Sequence, residues 1–379
     1  MRNKKSWPWW EAFFLSLIVV FGGWLRFRHL EEPNAYVFDE VYHVPTIKLI
    51  MKNDPQAYEW WHGELEEEVE SGAYIDWLHP PLAKLITAAS LKIFGVQSWA
   101  WRAPSAFVGA LLIIVGFAFA KTLWPKARWA PLIAALLFAT DGVAIAQSRL
   151  AMNDIFVTFF ITLSVWFYYL YQKKSANNSW LLLTAFTAGL AAATKWSGFL
   201  LGLFFLIWEV YRLTQKKTSF AHALKFLSIT ACAICMIYLL SYWQLFTQHD
   251  FGHFLGLEKQ VWRYQTRLEA QHPYSAAAWQ WPFAWQPIYL YANPQTGEQL
   301  WSQPFYPFWY LGLFCLLATA WRTFKDKRKT PSTLFLLGAY LCFWLPWCFS
   351  PRIMFLHHYL PALTFVWLLT AKYLDVRAT

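Results

Sequence analysis

Apolar residues in this chain fall in long unbroken runs, not in the short alternations of a soluble domain. Runs with helical spacing cover 12–28, 102–120, 130–147, 152–171, 180–194, 197–212, 222–243, 306–321, 332–349 and 353–371. Each approaches the roughly 20 residues that carry a helix across a bilayer. The pattern predicts an all-α polytopic membrane protein of about ten or eleven transmembrane helices. The ambiguous stretch is 81–95, "PLAKLITAASLKIFG", which is short and interrupted by Lys84 and Lys92. It reads either as an eleventh span or as a helix lying flat in the interface.

Charge separates these two readings. If 81–95 lies flat, the basic clusters Arg2/Lys4/Lys5, Lys121/Lys126/Arg128, Lys173/Lys174, Arg212/Lys216/Lys217, Arg322 through Lys329, and Lys372/Arg377 all fall on one side of the membrane. The positive-inside rule then favours ten spans, cytoplasmic N- and C-termini, and 79–95 as a surface helix on the far side. Two long non-cytoplasmic loops follow, 29–101 and 244–305, and no composition break divides residues 1–379 into separate domains. The N-terminus has the basic start and apolar centre of a signal peptide but no small-residue cleavage site, so it reads as a retained first helix. The acidic run "GELEEEVESG" at 63–72 reads as a solvated face. The sequon at Asn177 falls on the cytoplasmic side and is discounted.

Composition agrees with this class: 58% of the 379 residues are hydrophobic, 21% aromatic and only 14% charged. The net charge of +10 would suit nucleic acid, but the Lys and Arg sit in short loops between apolar runs, which assigns them to topology and anionic headgroups. Cys232, Cys235, Cys315, Cys342 and Cys348 lie in or beside apolar runs and form neither a disulfide framework nor a zinc pattern.

The charges left over after orientation is assigned are the candidate chemistry. They are Asp39, Glu40 and His43 in "FDEVYH"; His79; Arg102; Asp141, Arg149 and Asp154; Lys195 in "ATKWSGF"; and Arg352, His357 and His358. All lie at the non-cytoplasmic ends of spans or in the loops beside them, where a charge costs less than at the membrane centre. Arg149 and Asp154 also fit a structural ion pair. Adjacent residues point apart in any regular conformation, which gives Asp39 and Glu40, and likewise His357 and His358, different surroundings. A carboxylate or two, several cations and a histidine at the membrane surface suit transfer of a group from a lipid phosphate. The phosphate leaves as a stable anion that needs cations, and the incoming hydroxyl needs a base. Inversion at a sugar carbon needs one such base, opposite the leaving group.

These stretches resemble the protein O-mannosyltransferase family, glycosyltransferases of the C-type (GT-C) fold with polyprenyl- or dolichyl-phosphate-mannose donors. The matching pieces, in the family's order, are "FDEVYH", "HPPLAKLI", "RAPSAFVGAL", "RLAMNDIF", "ATKWSGF", "HPYSAAAWQWPFAWQPIYLY" and "LHHYLPAL". The resemblance implies a GT-C fold with interfacial helices in the first external loop. It implies a catalytic carboxylate in Asp39 or Glu40, with Asp39 preferred, and donor-phosphate contacts from Arg102, Arg149, Lys195, Arg352, His357 and His358. His43, His79, Asp154 and Trp281 would complete the cavity. The 244–305 loop is too short for the soluble module of eukaryotic relatives, so the chain resembles a compact form from a bacterial plasma membrane. Gln286 stands before Pro287 where relatives often carry an arginine. The expected activity is mannose transfer from the lipid phosphate to Ser or Thr of an exported protein. Transfer to a lipid or glycan acceptor, as in aminoarabinose transferases, is the alternative, and a transporter a more distant one. No metal ligand is assigned, although Asp39, Asp154 and a histidine would suit a hard divalent ion. The partners expected are the donor, an acceptor and membrane lipid, with no nucleic acid.

Overall fold

A computed structural model describes residues 8–61, 74–173, 178–267, 270–325 and 330–375. The acidic run at 63–72, Asn177, and Arg2, Lys4, Lys5, Lys174, Lys327, Arg328, Lys329 and Arg377 of the basic clusters lie outside them. Helix α1 (Trp9–Phe27) leads into a loop and α2 (Glu40–Lys52); α3 (Leu82–Phe94) and α4 (Ser98–Leu123) follow. Next come α5 (Ala130–Thr140), α6 (Gly142–Ser148), α7 (Asp154–Lys173), α8 (Asn178–Thr194), α9 (Leu200–Thr214) and α10 (Phe220–Ser241). The second long loop holds α11 (Trp243–Gln248), α12 (Phe251–Arg267) and the strands β1 (Ile288–Ala292) and β2 (Gln299–Ser302); α13 (Tyr306–Lys325), α14 (Pro331–Trp344) and α15 (Leu360–Leu374) complete the chain.

Every apolar run read from the sequence is helical. Among the described residues, six helical segments have the length and hydropathy to cross a membrane: Trp9–Phe27, Ser98–Leu123, Asp154–Lys173, Trp196–Thr214, Phe220–Ser241 and Pro331–Phe349. The run at 130–147 is a pair, α5 and α6, bent by 57°. Asp141 makes the break, its carboxylate accepting a bond from the Ala144 amide at 2.7 Å as cap of α6. The remaining runs, α8, α13 and α15, form helices outside that length-and-hydropathy set. Residues 81–95 form the 13-residue α3, about 20 Å long and too short for a bilayer of roughly 30 Å.

The packing follows burial. Residues 360–372 of α15 are all buried, and its neighbours are α5, α7, α13 and α14. A helix apolar on every side belongs in the middle of a bundle. On another flank α7 packs on α8 and α8 on α10, where Gly189 leaves no room for a Cβ against Ile237 and Ala233. Arg26 is buried within the first run and donates to the carbonyls of Gly22, Phe138 and Ala139 and to Ser148 Oγ, so its charge is solvated by the free carbonyl end of α5.

The hairpin is the departure from an all-helical reading. β1 and β2 pair antiparallel with a bulge between Tyr289 and Tyr291, and the "NPQTG" turn places Gly297 at φ +73°. Alternating aromatic and aliphatic residues in "IYLYA" have the two-residue period of a strand.

Candidate active site

One cavity, of about 360 Å³, collects residues from both long loops and from the ends of α7, α8 and α15. Asp39, Tyr42 and His43 come from the start of α2; Asp76 and His79 from the segment before α3; Asp154 from α7; and Lys195 from the break after α8. Tyr264 comes from α12, His272 from the second loop, and Arg352, His357 and His358 from the approach to α15.

Local structure aims these side chains. Phe38 adopts a left-handed conformation at φ +55°, its amide donates to the Leu290 carbonyl at 3.1 Å, and its ring packs edge-on against Phe355 and His357. A bulky residue at positive φ is uncommon. Here it turns the chain so that Asp39 faces the cavity while Glu40 enters the protein. Lys195 is extended at φ −157°, which ends α8, and Gly198 then lies so close to Ala191 that a Cβ would meet its backbone at 2.3 Å.

Three of the carboxylates here already have cations. Asp76 Oδ2 lies 2.9 Å from Lys84 Nζ and 3.0 Å from His43 Nδ1. Burial alone would raise the Asp76 carboxyl, but Lys84, His43 and His79 hold it well below the usual carboxylate range. Asp154 Oδ1 lies 2.8 Å from Lys195 Nζ, and its other oxygen 3.9 Å from His357 Nε2. Glu40, next to Asp39, is entirely enclosed: it accepts from Arg102 Nε at 2.9 Å, Arg102 Nη2 at 2.7 Å, and the amides of Val37 and Ala151 at 3.0 Å. Among the described residues nothing hydrogen-bonds the Asp39 carboxylate. Burial pushes it up to about 6, against the opposing pull of His43 and Lys195. Burial lowers His79 to about 3, which keeps its imidazole neutral.

The cations are arranged differently. Arg352 donates from Nε to the Ile353 carbonyl at 3.2 Å and has no carboxylate partner among the described residues. His357 and His358 stack with centroids 4.4 Å apart, and buried His357 Nδ1 has no hydrogen-bond partner among the described residues. A lone carboxylate facing an unpaired guanidinium, a lysine and two histidines can accept a proton on one side and hold an anion on the other.

The profile of the dolichyl-phosphate-mannose-protein mannosyltransferase family matches residues 16–253, and that of the C-terminal four-transmembrane region of protein O-mannosyltransferase matches 250–378. The chain belongs to the protein O-mannosyltransferase family. It is 29% identical over 234 residues to a polyprenol-phosphate-mannose–protein mannosyltransferase of Corynebacterium glutamicum, an alignment spanning 55% of this chain and 44% of that protein. A Mycobacterium tuberculosis protein of the same name is 23% identical, over 89% of this chain and 75% of its own length. In fold, the chain is similar to the Saccharomyces cerevisiae Pmt1–Pmt2 complex bound to the sugar donor (TM-score 0.77, 14% identity, 97% of this chain, 85% of that one). It is also similar to ArnT of Cupriavidus metallidurans bound to undecaprenyl phosphate (TM-score 0.66, 15% identity, 97% and 60%). Its fold is that of the GT-C glycosyltransferases, and it is an integral membrane protein.

Against the residues expected of an O-mannosyltransferase, the cavity contains Asp39, His43, His79, Asp154, Lys195, Arg352, His357 and His358. Glu40, Arg102, Arg149 and Trp281 lie outside it. Arg102 spends its remaining donors on the carbonyls of Leu30, Pro33 and Ala35. Arg149 is held by the carbonyls of Leu25, Arg26, Arg28 and His29 and does not pair with Asp154, which pairs with Lys195 instead. Both arginines line a separate hollow of about 200 Å³ against the hairpin. Trp281 is fully buried one layer behind, stacked on His358 at 6.1 Å. Asp76, Tyr264 and His272 also line the cavity and are not among the candidates marked in the sequence. Asp76 had a signal in "DWLHPPLAK", where a carboxylate precedes His79 by three residues and Lys84 by eight. A divalent ion fits the donor set poorly, because Asp76 and Asp154 are each already bound to a lysine.

Proposed function

We propose that this protein transfers mannose from a polyprenyl-phosphate-mannose donor to the hydroxyl of Ser or Thr in an exported protein, with inversion, and that Asp39 is the base. The observation carrying this reading is that, among the described residues, Asp39 is the cavity carboxylate with no cation or donor bound to it, its pKa lifted towards the working range of a general base. The acceptor oxygen bonds to mannose C1 as the C1–O bond to phosphate breaks. The hydroxyl proton passes to Asp39, and the phosphate leaves with the bonding pair as an anion held by Arg352 and Lys195. An apolar groove of about 490 Å³ between α13 and α14, lined by Trp279, Phe283, Leu316, Leu341 and Trp344, takes the polyprenyl chain. Trp281 and Trp347, from the same segments as the groove's Trp279, Phe283 and Trp344, pack on the cavity's His358.

Purified enzyme incubated with labelled polyprenyl-phosphate mannose tests the reading. Label should pass to a Ser/Thr peptide in wild type and about 10²–10⁴-fold more slowly in Asp39→Asn; transfer to a lipid acceptor but to no peptide would assign the alternative acceptor. The cavity opens on the non-cytoplasmic side in this scheme. Exposed Lys92 and Lys126, at opposite ends of the bundle, check this: Lys92→Cys should label from outside and Lys126→Cys only after permeabilisation.

A further inference from the structure

Helix α12 carries two exposed rows that the transfer reaction does not use. Its inner face, Phe254, Leu257 and Val261, is buried. The helix is anchored by Glu258, which accepts from Tyr238 Oη of α10 at 2.9 Å, and by Gly256, which leaves no room for a Cβ against Trp60. Turned away from that face, Phe251, Leu255 and Trp262 form one strip, 56%, 54% and 61% exposed. Lys259, Arg263 and Arg267, spaced four residues apart, form a second exposed strip roughly 100° round the helix from the first. None of the three has an acidic partner among the described residues. The preceding α11 extends the apolar strip with exposed Trp243 and Phe246.

From this juxtaposition we infer that α12 lies in the headgroup layer and binds the anionic phospholipids of the surrounding bilayer, its apolar strip in the acyl region and its basic strip on the phosphates. At 17 residues with a polar side, the helix is built to rest at an interface and not to cross one. Large apolar side chains beside a basic row suit neither open water nor a neutral hydrocarbon surface. A polybasic strip at headgroup depth gains from each negative lipid it meets. The site is distinct from the donor cavity, although Tyr264 on the same helix lines that cavity. The inference holds whichever acceptor the enzyme uses.

The test does not depend on activity. The exposed Cys232, Cys235 and Cys348 are replaced by serine, Leu255→Cys is labelled with an environment-sensitive dye, and the full chain is reconstituted in nanodiscs. Their lipid is phosphatidylcholine mixed with phosphatidylglycerol, and one or the other carries brominated acyl chains. Brominated phosphatidylglycerol should quench the dye on the order of fivefold more effectively than brominated phosphatidylcholine. Adding Lys259→Gln, Arg263→Gln and Arg267→Gln should equalise the two lipids while leaving total quenching and helix content unchanged. Equal quenching in the parent, a preference that survives the triple substitution, or no quenching by either lipid would overturn the proposal.

Discussion

Asp39 and Glu40 are neighbours in the chain with opposite surroundings. Glu40 is 0% exposed and uses both oxygens on four donors, joining the α1–α2 loop to α4 through Arg102 and to the segment before α7 through the Ala151 amide. Asp39 faces a cavity and has no such partner among the described residues. A satisfied buried ion pair fixes geometry and cannot give up its charge without leaving a bare partner behind. A desolvated carboxylate without a partner has a raised proton affinity and is free to change state. The pair divides one acidic dipeptide into a rivet and a proposed reagent.

Substitution should separate the two. Asp39→Asn is expected to lower kcat by about 10²–10⁴-fold while the unfolding temperature in detergent stays the same or rises, since no charge is then desolvated; a comparable loss of stability would remove the distinction. Glu40→Gln should do the reverse. Breaking the buried pair with Arg102 is expected to cost about 3–5 kcal/mol of stability. It should show as a lowered unfolding temperature that Asp39→Asn does not share, with Arg102→Lys only partly sparing it because an ammonium cannot reproduce the two-pronged contact.

Acidity sharpens the contrast. With its carboxyl raised to about 6, Asp39 is protonated, and unable to accept a proton, as pH falls below that value. The kcat/KM of wild type should therefore rise about tenfold per pH unit up to pH 6 and level off above it. The residual activity of Asp39→Asn should lack that limb. The smallest effect is expected at Arg352. Arg352→Gln should raise KM for the donor by about tenfold and leave the acceptor KM unchanged, because the proposed scheme sets its guanidinium against the phosphate and not the incoming hydroxyl.

The sequence reading captured what depends on local pattern. The apolar runs became helices, α3 proved too short to cross, and the opposed directions of Asp39 and Glu40 followed from their adjacency. Partners separated by long stretches of chain were not legible. Nothing near Asp154 says that its partner is Lys195, 41 residues away, and not Arg149. Arg102 has the look of a phosphate ligand until the Leu30, Pro33 and Ala35 carbonyls fold around it. The hairpin was obscured by the aromatic density of "WQWPFAWQPIYLY", which suits an interface as well as a strand, and the break at Asp141 by an apolar run that continues through it. In each case the deciding information is which groups the tertiary fold leaves for a side chain to satisfy.

The contact between the Phe38 amide and the Leu290 carbonyl has a mechanical corollary. It ties strand β1 to the peptide just ahead of Asp39, across some 250 residues of chain. A displacement of that strand is thereby passed to the backbone beside Asp39.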